Sequence, residues 1–315
     1  MQEQFRKDVD KGLSAFPKSL PSKYFYDKRG DGLFVQIMHM PEYYVTRAEF
    51  DIFKNQTQDI IDALQLSPDT YFELIELGAG DALKTKVLLH LLDKGNYSFG
   101  YFPVDISHNA LDKLEKTLKS ELPNVLMKKM HGDYFQVLES LKNPHHLKVV
   151  LFLGSNIGNM TDEVASDFIY KLGSNLSAND KLFLGVDLIK PASVVLPAYN
   201  DSQGITSEFN LNLLKRINRE LGGDFHTDKF LHQPEYIESE GVAKSFLVSA
   251  TDQKVSIEKI GKTFYFKQGE KISTEISRKY NDEIIGDIIA KTDFKLIRKL
   301  TDSRKYFANY ILIRE

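Results

Sequence analysis

YFELIELGAGDALK, residues 71–84, sets the frame for the rest of the chain. The run from Tyr71 to Leu77 reads as a strand, and Gly78-Ala79-Gly80 stops it just before a helix-forming segment. Two glycines let the backbone turn sharply and approach a ligand closely, as in nucleotide-binding strand–loop–helix units. The third glycine of a G-x-G-x-x-G fingerprint, which seats a dinucleotide's pyrophosphate against the helix, is Leu83 here. Glu76 stands just before the loop. Asp105 ends the next apolar run, YFPVD (101–105), where a carboxylate can accept both ribose hydroxyls. Ribose recognition without a pyrophosphate seat points to S-adenosylmethionine more than to NAD.

Outward from that loop, strand and helix patterns alternate. Strand-like runs cover 71–77, 99–105, 125–131, 148–154 and 181–187, and amphipathic stretches at 83–94, 108–121 and 161–175 lie between them. Such βα repeats argue for an α/β fold with a parallel, doubly wound, Rossmann-like sheet. Ligands then bind outside the carboxyl ends of the strands. After Lys190-Pro191 the rhythm breaks into a helical run at 207–222 and strand-like pieces at 243–250, 254–260, 263–266 and 272–277. A helix at 280–292 precedes two long strands, 294–302 and 305–315, with a hairpin expected at Ser303-Arg304. A closing antiparallel hairpin on a parallel sheet is how the large Rossmann-like class of methyltransferases ends. The expected organisation is therefore a methyltransferase domain of residues 59–190 and 281–315 and a mixed α+β substrate domain of residues 1–58 and 191–280. Residues 1–58 read as a helical cap, broken at Pro17, Pro21 and Pro41 and crowded with aromatics.

The 315 residues, 42% hydrophobic with a formal charge of −3, can bury a substantial core, and no basic block indicates a nucleic-acid partner. Cysteine is absent, which excludes disulfides and thiol catalysis. No secretory h-region or bilayer-length apolar run is seen, so no membrane association is expected, and a cytoplasmic monomer is the expectation. The eight histidines show no ligand spacing and read as structural or surface groups, with no metal site.

Several residues can carry chemistry, each with a plainer reading beside it. Lys84 opens the helix after the loop and can face a cofactor carboxylate; a solvated lysine fits the spacing as well. Asp133, in HGDY (131–134), can hold an adenine amino group or cap a helix. FLGSNIGN (152–159) can bring backbone close to ligand and aim the Asn159 amide at a substrate, or serve as a turn. Glu275 and Ser277, two apart on a strand, share one face, either solvated or set to recognise a ring bearing N–H donors.

One ordered series of segments is similar to a known family: YFYDKRGDGLF (24–34), PEYYVTRAE (41–49), ELGAGDALKT (76–85), PVDIS (103–107), FLGSNIGN (152–159), GVDLIK (185–190), AYNDSQGITSEFNLNLLKRINRELG (198–222) and GEKISTEISRKY (269–280). The chain resembles the histidine-specific methyltransferases, whose best-known member makes trimethylhistidine (hercynine) in ergothioneine biosynthesis. The resemblance implies that Gly78, Gly80, Lys84, Asp105, Asp133 and Tyr134 bind S-adenosylmethionine. It implies that Tyr26, Phe34, Tyr43, Asn159, Tyr199 and Thr206 surround the amino acid, with Tyr43 and Tyr199 on its carboxylate and Asn159 orienting its α-amine. Glu275 and Ser277 would bond the imidazole, and Tyr26 and Asn159 are the expected catalytic pair. The family's EMHLVS-like stretch reads AKSFLVS (243–249) here, with Ser245 at the methionine position bordering the side-chain pocket. Histidine Nα-methylation is therefore the first expectation, and a different amino-acid acceptor the alternative. A nicotinamide-dependent dehydrogenase is disfavoured by Leu83 and the closing hairpin, and a non-catalytic cofactor-binding module by the retained amine-binding set.

Overall fold

Phe72–Leu77 is a strand buried at every position, as a central parallel strand with both faces covered must be. The computed structural model describes residues 2–132, 134–140 and 145–315. Its strands are, in order, β1 (Lys18–Ser19), β2 (Phe72–Leu77), β3 (Phe99–Asp105), β4 (Leu126–Met127), β5 (Met130–His131), β6 (Leu147–Phe152), β7 (Lys181–Asp187), β8 (Phe230–Ile237), β9 (Val242–Ser249), β10 (Gln253–Ile257), β11 (Lys262–Phe266), β12 (Lys271–Arg278), β13 (Phe294–Thr301) and β14 (Phe307–Arg314). Two units emerge: Met1–Tyr44 with Lys190–Arg278, and Val45–Ile189 with Lys279–Glu315.

In the second unit the strand order is β13-β14-β7-β6-β2-β3-β4, with β5 also paired to β3. The pairs β2/β3, β2/β6, β3/β4, β3/β5 and β6/β7 are parallel, and β14 runs antiparallel to both β7 and β13. From β2 the chain winds to one side through β3 and β4, then returns to the other through β6 and β7. The direction reverses between β2 and β6, and a crevice opens at the carboxyl ends of such a pair. The closing hairpin turns on Asp302, whose carboxylate accepts the N–H groups of Arg304, Tyr306 and Phe307 at 3.0, 2.7 and 2.7 Å. Apolar residues of β2, β6, β7 and β14 form the core with Phe168, Ile169 and Leu172 of the helix Asp162–Gly173. The run expected as one strand over 125–131 is instead two short pieces, β4 and β5. Lys128 and Lys129 interrupt it, and Lys129 reaches Asp112 and Glu115, each at 2.7 Å.

The domain boundary expected at residue 58 falls at Tyr44 instead. The helices Val45–Asn55 and Thr57–Ala63 belong with the parallel sheet because Ile52, Phe53, Ile60 and Ile61 are buried there. The Phe53 ring meets Phe183 of β7 edge-on at 5.6 Å. The other two breaks between the units fall at Ile189–Lys190 and Arg278–Lys279. A buried pair, Lys279 with Asp187 at 2.9 Å, ties the returning chain to β7.

The first unit holds a sheet of order β1-β12-β9-β8 and the hairpin β10–β11. Buried and half-buried residues alternate along β9, so one face of this sheet meets a core and the other does not. The core contains Phe209, Leu213 and Ile217 of the helix Ile205–Leu221, Phe25, Leu33, Ile37, Leu247 and Ile272. Phe5, Tyr24 and Phe25 of the N-terminal segment are buried in this core and Phe34 and Tyr43 pack against it, whereas Phe16 and Tyr26 are exposed. β8 escapes a sequence reading because Pro234 interrupts it, and an edge strand is where a proline is tolerated.

Candidate active site

At the carboxyl end of β2 the chain takes left-handed conformations at Gly78 (φ 73°) and Gly80 (φ 55°). A Cβ on Gly78 would lie 2.9 Å from the Tyr134 hydroxyl and 3.3 Å from Asn156 Nδ2, so space as well as backbone demands glycine there. Around Gly80 there is room, and only its φ matters. The Gly80 N–H donates to Asp105 Oδ2 at 3.2 Å, and Oδ1 accepts from Ser107 N at 2.8 Å. Asp105, at the end of β3, is thereby held against the loop, and each oxygen keeps a lone pair that can take a hydroxyl. Tyr134 opens the helix Tyr134–Ser140, edge-on to Phe152 at 6.1 Å. Asp133 lies outside the described residues.

Beneath the loop two carboxylates brace it. Glu76 is buried, accepts from Thr85 Oγ1 at 2.7 Å and bonds the Tyr101 hydroxyl. Burial pushes its carboxyl up to about 7, against the downward pull of those two bonds. Glu49, fully buried, pairs with Lys84 and accepts from Gly154 N at 2.8 Å and Asn309 Nδ2 at 3.0 Å. A Cβ at Gly185 would sit 2.1 Å from its Oε1, so glycine in mid-β7 makes room for the carboxylate. Lys84 is not the solvated lysine of the plainer reading, with 18% of its side chain exposed. Sequence reasoning gave Glu49 no role. The signal was a lone acid on the apolar stripe Val45, Ala48, Ile52 and Phe53 of its helix.

The loop after β6 has left-handed Gly154 (φ 72°) and Ser155 (φ 57°), then a short turn over Asn156–Asn159. Ser155 Oγ accepts the Asp187 N–H at 3.0 Å, which anchors this loop to the end of β7. Asn159 stands exposed at the end of the turn.

In the first unit, Tyr26 and Phe34 pack on Phe209, and Tyr43 packs on Phe34. The Tyr26–Phe34, Tyr26–Phe209, Phe34–Phe209 and Phe34–Tyr43 centroids are 5.5, 5.7, 6.0 and 6.5 Å apart. The helix Ile205–Leu221 sets this cluster: Arg216 Nη1 donates to the Tyr24 and Tyr26 carbonyls at 2.9 and 3.4 Å. Asn212 Nδ2 donates at 2.9 Å to Asp27, the N-cap of the helix Lys28–His39 that carries Phe34. At the start of the helix Ile205–Leu221, Asp201 accepts the N–H groups of Ile205 and Thr206 at 2.9 and 2.8 Å. Tyr199 closes the turn Leu196–Ala198 just upstream.

A β-bulge decides where Glu275 and Ser277 point. Leu247 pairs with Ile272, but after Ser273 the register shifts, so that Ser245 faces Glu275 and Ala243 faces Ser277. Thr274 is the extra residue. Ala243, Ser245, Leu247 and Ser249 are the buried positions of β9, and opposed residues share a face, so Glu275 and Ser277 lie on the same inner face as Ile272. Without the extra residue they would have the parity of Lys271 and Ser273. Ser245 Oγ lies 3.4 Å from Glu275 Oε2. His232 of β8, opposite Leu247, is on this face too; burial pushes its imidazole down to about 4, so the ring is neutral near pH 7.

The family model for histidine-specific, S-adenosylmethionine-dependent methyltransferases matches residues 5–314. The histidine N-alpha-methyltransferase of Mycolicibacterium smegmatis is 34% identical over 313 residues, covering 99% of this chain and 95% of that protein. That coverage takes in both units. The chain belongs to the histidine-specific methyltransferase family. The histidine N-alpha-methyltransferase of Mycobacterium tuberculosis is 35% identical, over 94% of this chain and 91% of its own length. Ergothioneine biosynthesis protein 1 of Schizosaccharomyces pombe is 30% identical over 94% of this chain, which spans 39% of that longer relative. The structure brings Gly78, Gly80, Lys84, Asp105, Tyr134 and Asn159 into the sheet unit, and Tyr26, Phe34, Tyr43, Tyr199, Thr206, Ser245, Glu275 and Ser277 into the other.

Proposed function

We propose that this protein transfers methyl groups from S-adenosylmethionine to the α-nitrogen of L-histidine, in three successive steps that end in trimethylhistidine. The observation that carries the reading is the bulge in β12: it sets a carboxylate, Glu275, and a hydroxyl, Ser277, side by side on a buried face. An imidazole offers N–H donors to a carboxylate, and a hydroxyl can donate to or accept from its other nitrogen.

The residues at the carboxyl ends of β2 and β3 fit the cofactor: Gly78 would let backbone approach, Asp105 would accept the ribose hydroxyls, and Lys84 and Tyr134 would flank it. When bound, S-adenosylmethionine supplies a methyl group on a sulfonium centre. The protein's task is chiefly to position a neutral amine, an effect worth about 7–11 kcal/mol in the most favourable cases. Tyr26 and Asn159 orient the amine lone pair, Tyr43, Tyr199 and Thr206 hold the carboxylate end, and the Phe34 and Tyr43 rings tolerate the cation that accumulates. No metal enters the reading, and the only partner it needs is a small amino acid. It takes the enzyme as a cytoplasmic monomer, which sedimentation and cell fractionation test.

Mass spectrometry of histidine incubated with the protein and S-adenosylmethionine tests the function directly. Mono-, di- and trimethyl species support it, and unchanged histidine refutes it. A second reading keeps the chemistry and changes the acceptor, because the small Ser245 lies opposite Glu275 and leaves the pocket wall polar. A panel of amino acids with labelled cofactor separates the two.

A further inference from the structure

We infer that Thr274 and Asn210 form a latch that positions Glu275 for the substrate side chain, an inference that rests on the histidine reading above. A bulged residue is left out of the strand ladder, and its conformation must be held by something else. Here the holder is visible. Thr274 Oγ1 lies 2.8 Å from Asn210 Oδ1 and 3.0 Å from the Ser245 carbonyl, two acceptors for its one proton. The amide of Asn210 is oriented in turn, since its Nδ2 donates to the Thr206 carbonyl at 3.1 Å. Asn210 is fully buried and Thr274 is 2% exposed, so neither can exchange these bonds for water.

The latch reads the register of the strand. Ser245 is the residue opposite Glu275, so its carbonyl and its side chain tie the hydroxyl of Thr274 and the carboxylate of Glu275 to one point of β9. Strand side chains alternate, and a slip of one residue would carry Glu275 and Ser277 to the other face. The helix Ile205–Leu221, through Asn210, thus selects the register in which both groups face the core side. Thr274 and Asn210 are positioning residues that act through Glu275 and need not touch the substrate.

Calorimetric titration of histidine and of S-adenosylmethionine into wild type, Thr274→Val, Thr274→Ser, Glu275→Ala and the double variant Thr274→Val/Glu275→Ala tests this. Thr274→Val keeps the shape and removes the hydroxyl. It should weaken histidine about tenfold, the factor one lost hydrogen bond commonly represents, and leave the cofactor affinity unchanged. Thr274→Ser should restore wild-type binding. In the Glu275→Ala background the valine should cost nothing further, which a general loosening of the unit would not produce. If Thr274→Val does not fold, Thr274→Ala removes the same hydroxyl and replaces it in the cycle. Histidine binding unaffected by loss of the hydroxyl, or weakened equally with and without Glu275, overturns the latch while wild-type binding keeps the histidine reading. Wild-type protein that binds no histidine overturns both.

Discussion

The Glu49 carboxylate accepts the Gly154 N–H at 2.8 Å while pairing with Lys84, so one buried acid ties the loop after β2 to the loop after β6. These are the two loops between which the sheet reverses direction. Glu49→Gln leaves the part-buried Lys84 ammonium without its counter-charge, and losing a charged hydrogen-bond partner costs about 1.5–3 kcal/mol. Urea unfolding should show a loss of that order, together with weaker S-adenosylmethionine binding. A variant as stable as wild type would remove Glu49 from the frame of the site.

Glu275 should matter to one ligand only. A hydrogen bond to a charged group contributes about 1.5–3 kcal/mol, so Glu275→Ala should weaken histidine roughly ten- to a hundredfold. S-adenosylmethionine should bind as before. Equal loss of both ligands in calorimetric titration would take Glu275 out of the substrate pocket.

The two loop glycines should respond unequally to alanine. Gly80→Ala meets only the left-handed backbone cost of about 1–2 kcal/mol, because nothing lies near its Cβ. Gly78→Ala adds a 2.9 Å contact with the Tyr134 hydroxyl. Thermal melts and cofactor titration should rank Gly78→Ala as the more damaging, with Tyr134→Phe partly relieving it. The reverse ranking would mean that Tyr134 does not pack as described.

Glu76 should leave a signature in the pH dependence of stability. Its carboxyl titrates at about 7 when folded, against 4.5 as the ordinary value. Between those values the folded chain holds a proton that the unfolded chain has released. The contribution is therefore full below the unfolded value and is lost as pH rises through the folded one. His232, depressed to about 4, runs the other way, and its contribution is lost as pH falls below 6.5. Glu76→Gln should remove the first slope, so that its stability relative to wild type improves between about pH 5 and pH 7. Parallel curves in urea unfolding would count against a protonated Glu76.

Much of the sheet unit was legible because its signals are local. The spacing of apolar runs marked β2, β3, β6 and β7, the glycines marked the loop, and Asp105 stood at a strand end. The helix Ile205–Leu221 was equally plain, since its periodicity runs unbroken to the left-handed Gly222. Glu49 was not legible. Its place on the apolar stripe marks it only as buried, and its partners Lys84, Gly154 and Asn309 come with the fold.

Alternation of strand and helix, the turn at Gly78 and the parity that sets Glu275 beside Ser277 are properties of neighbours in the chain, and the sequence alone determined them. Which unit owns the helices of residues 45–63, and which face of β12 is the inner one, only the tertiary structure decided. Both depend on partners distant in the chain: Phe183 and Asn309 for the helices, and Asn210 and Ser245 for the one extra residue at Thr274. A bulge exists only relative to the strand it faces, and no local pattern contains that strand.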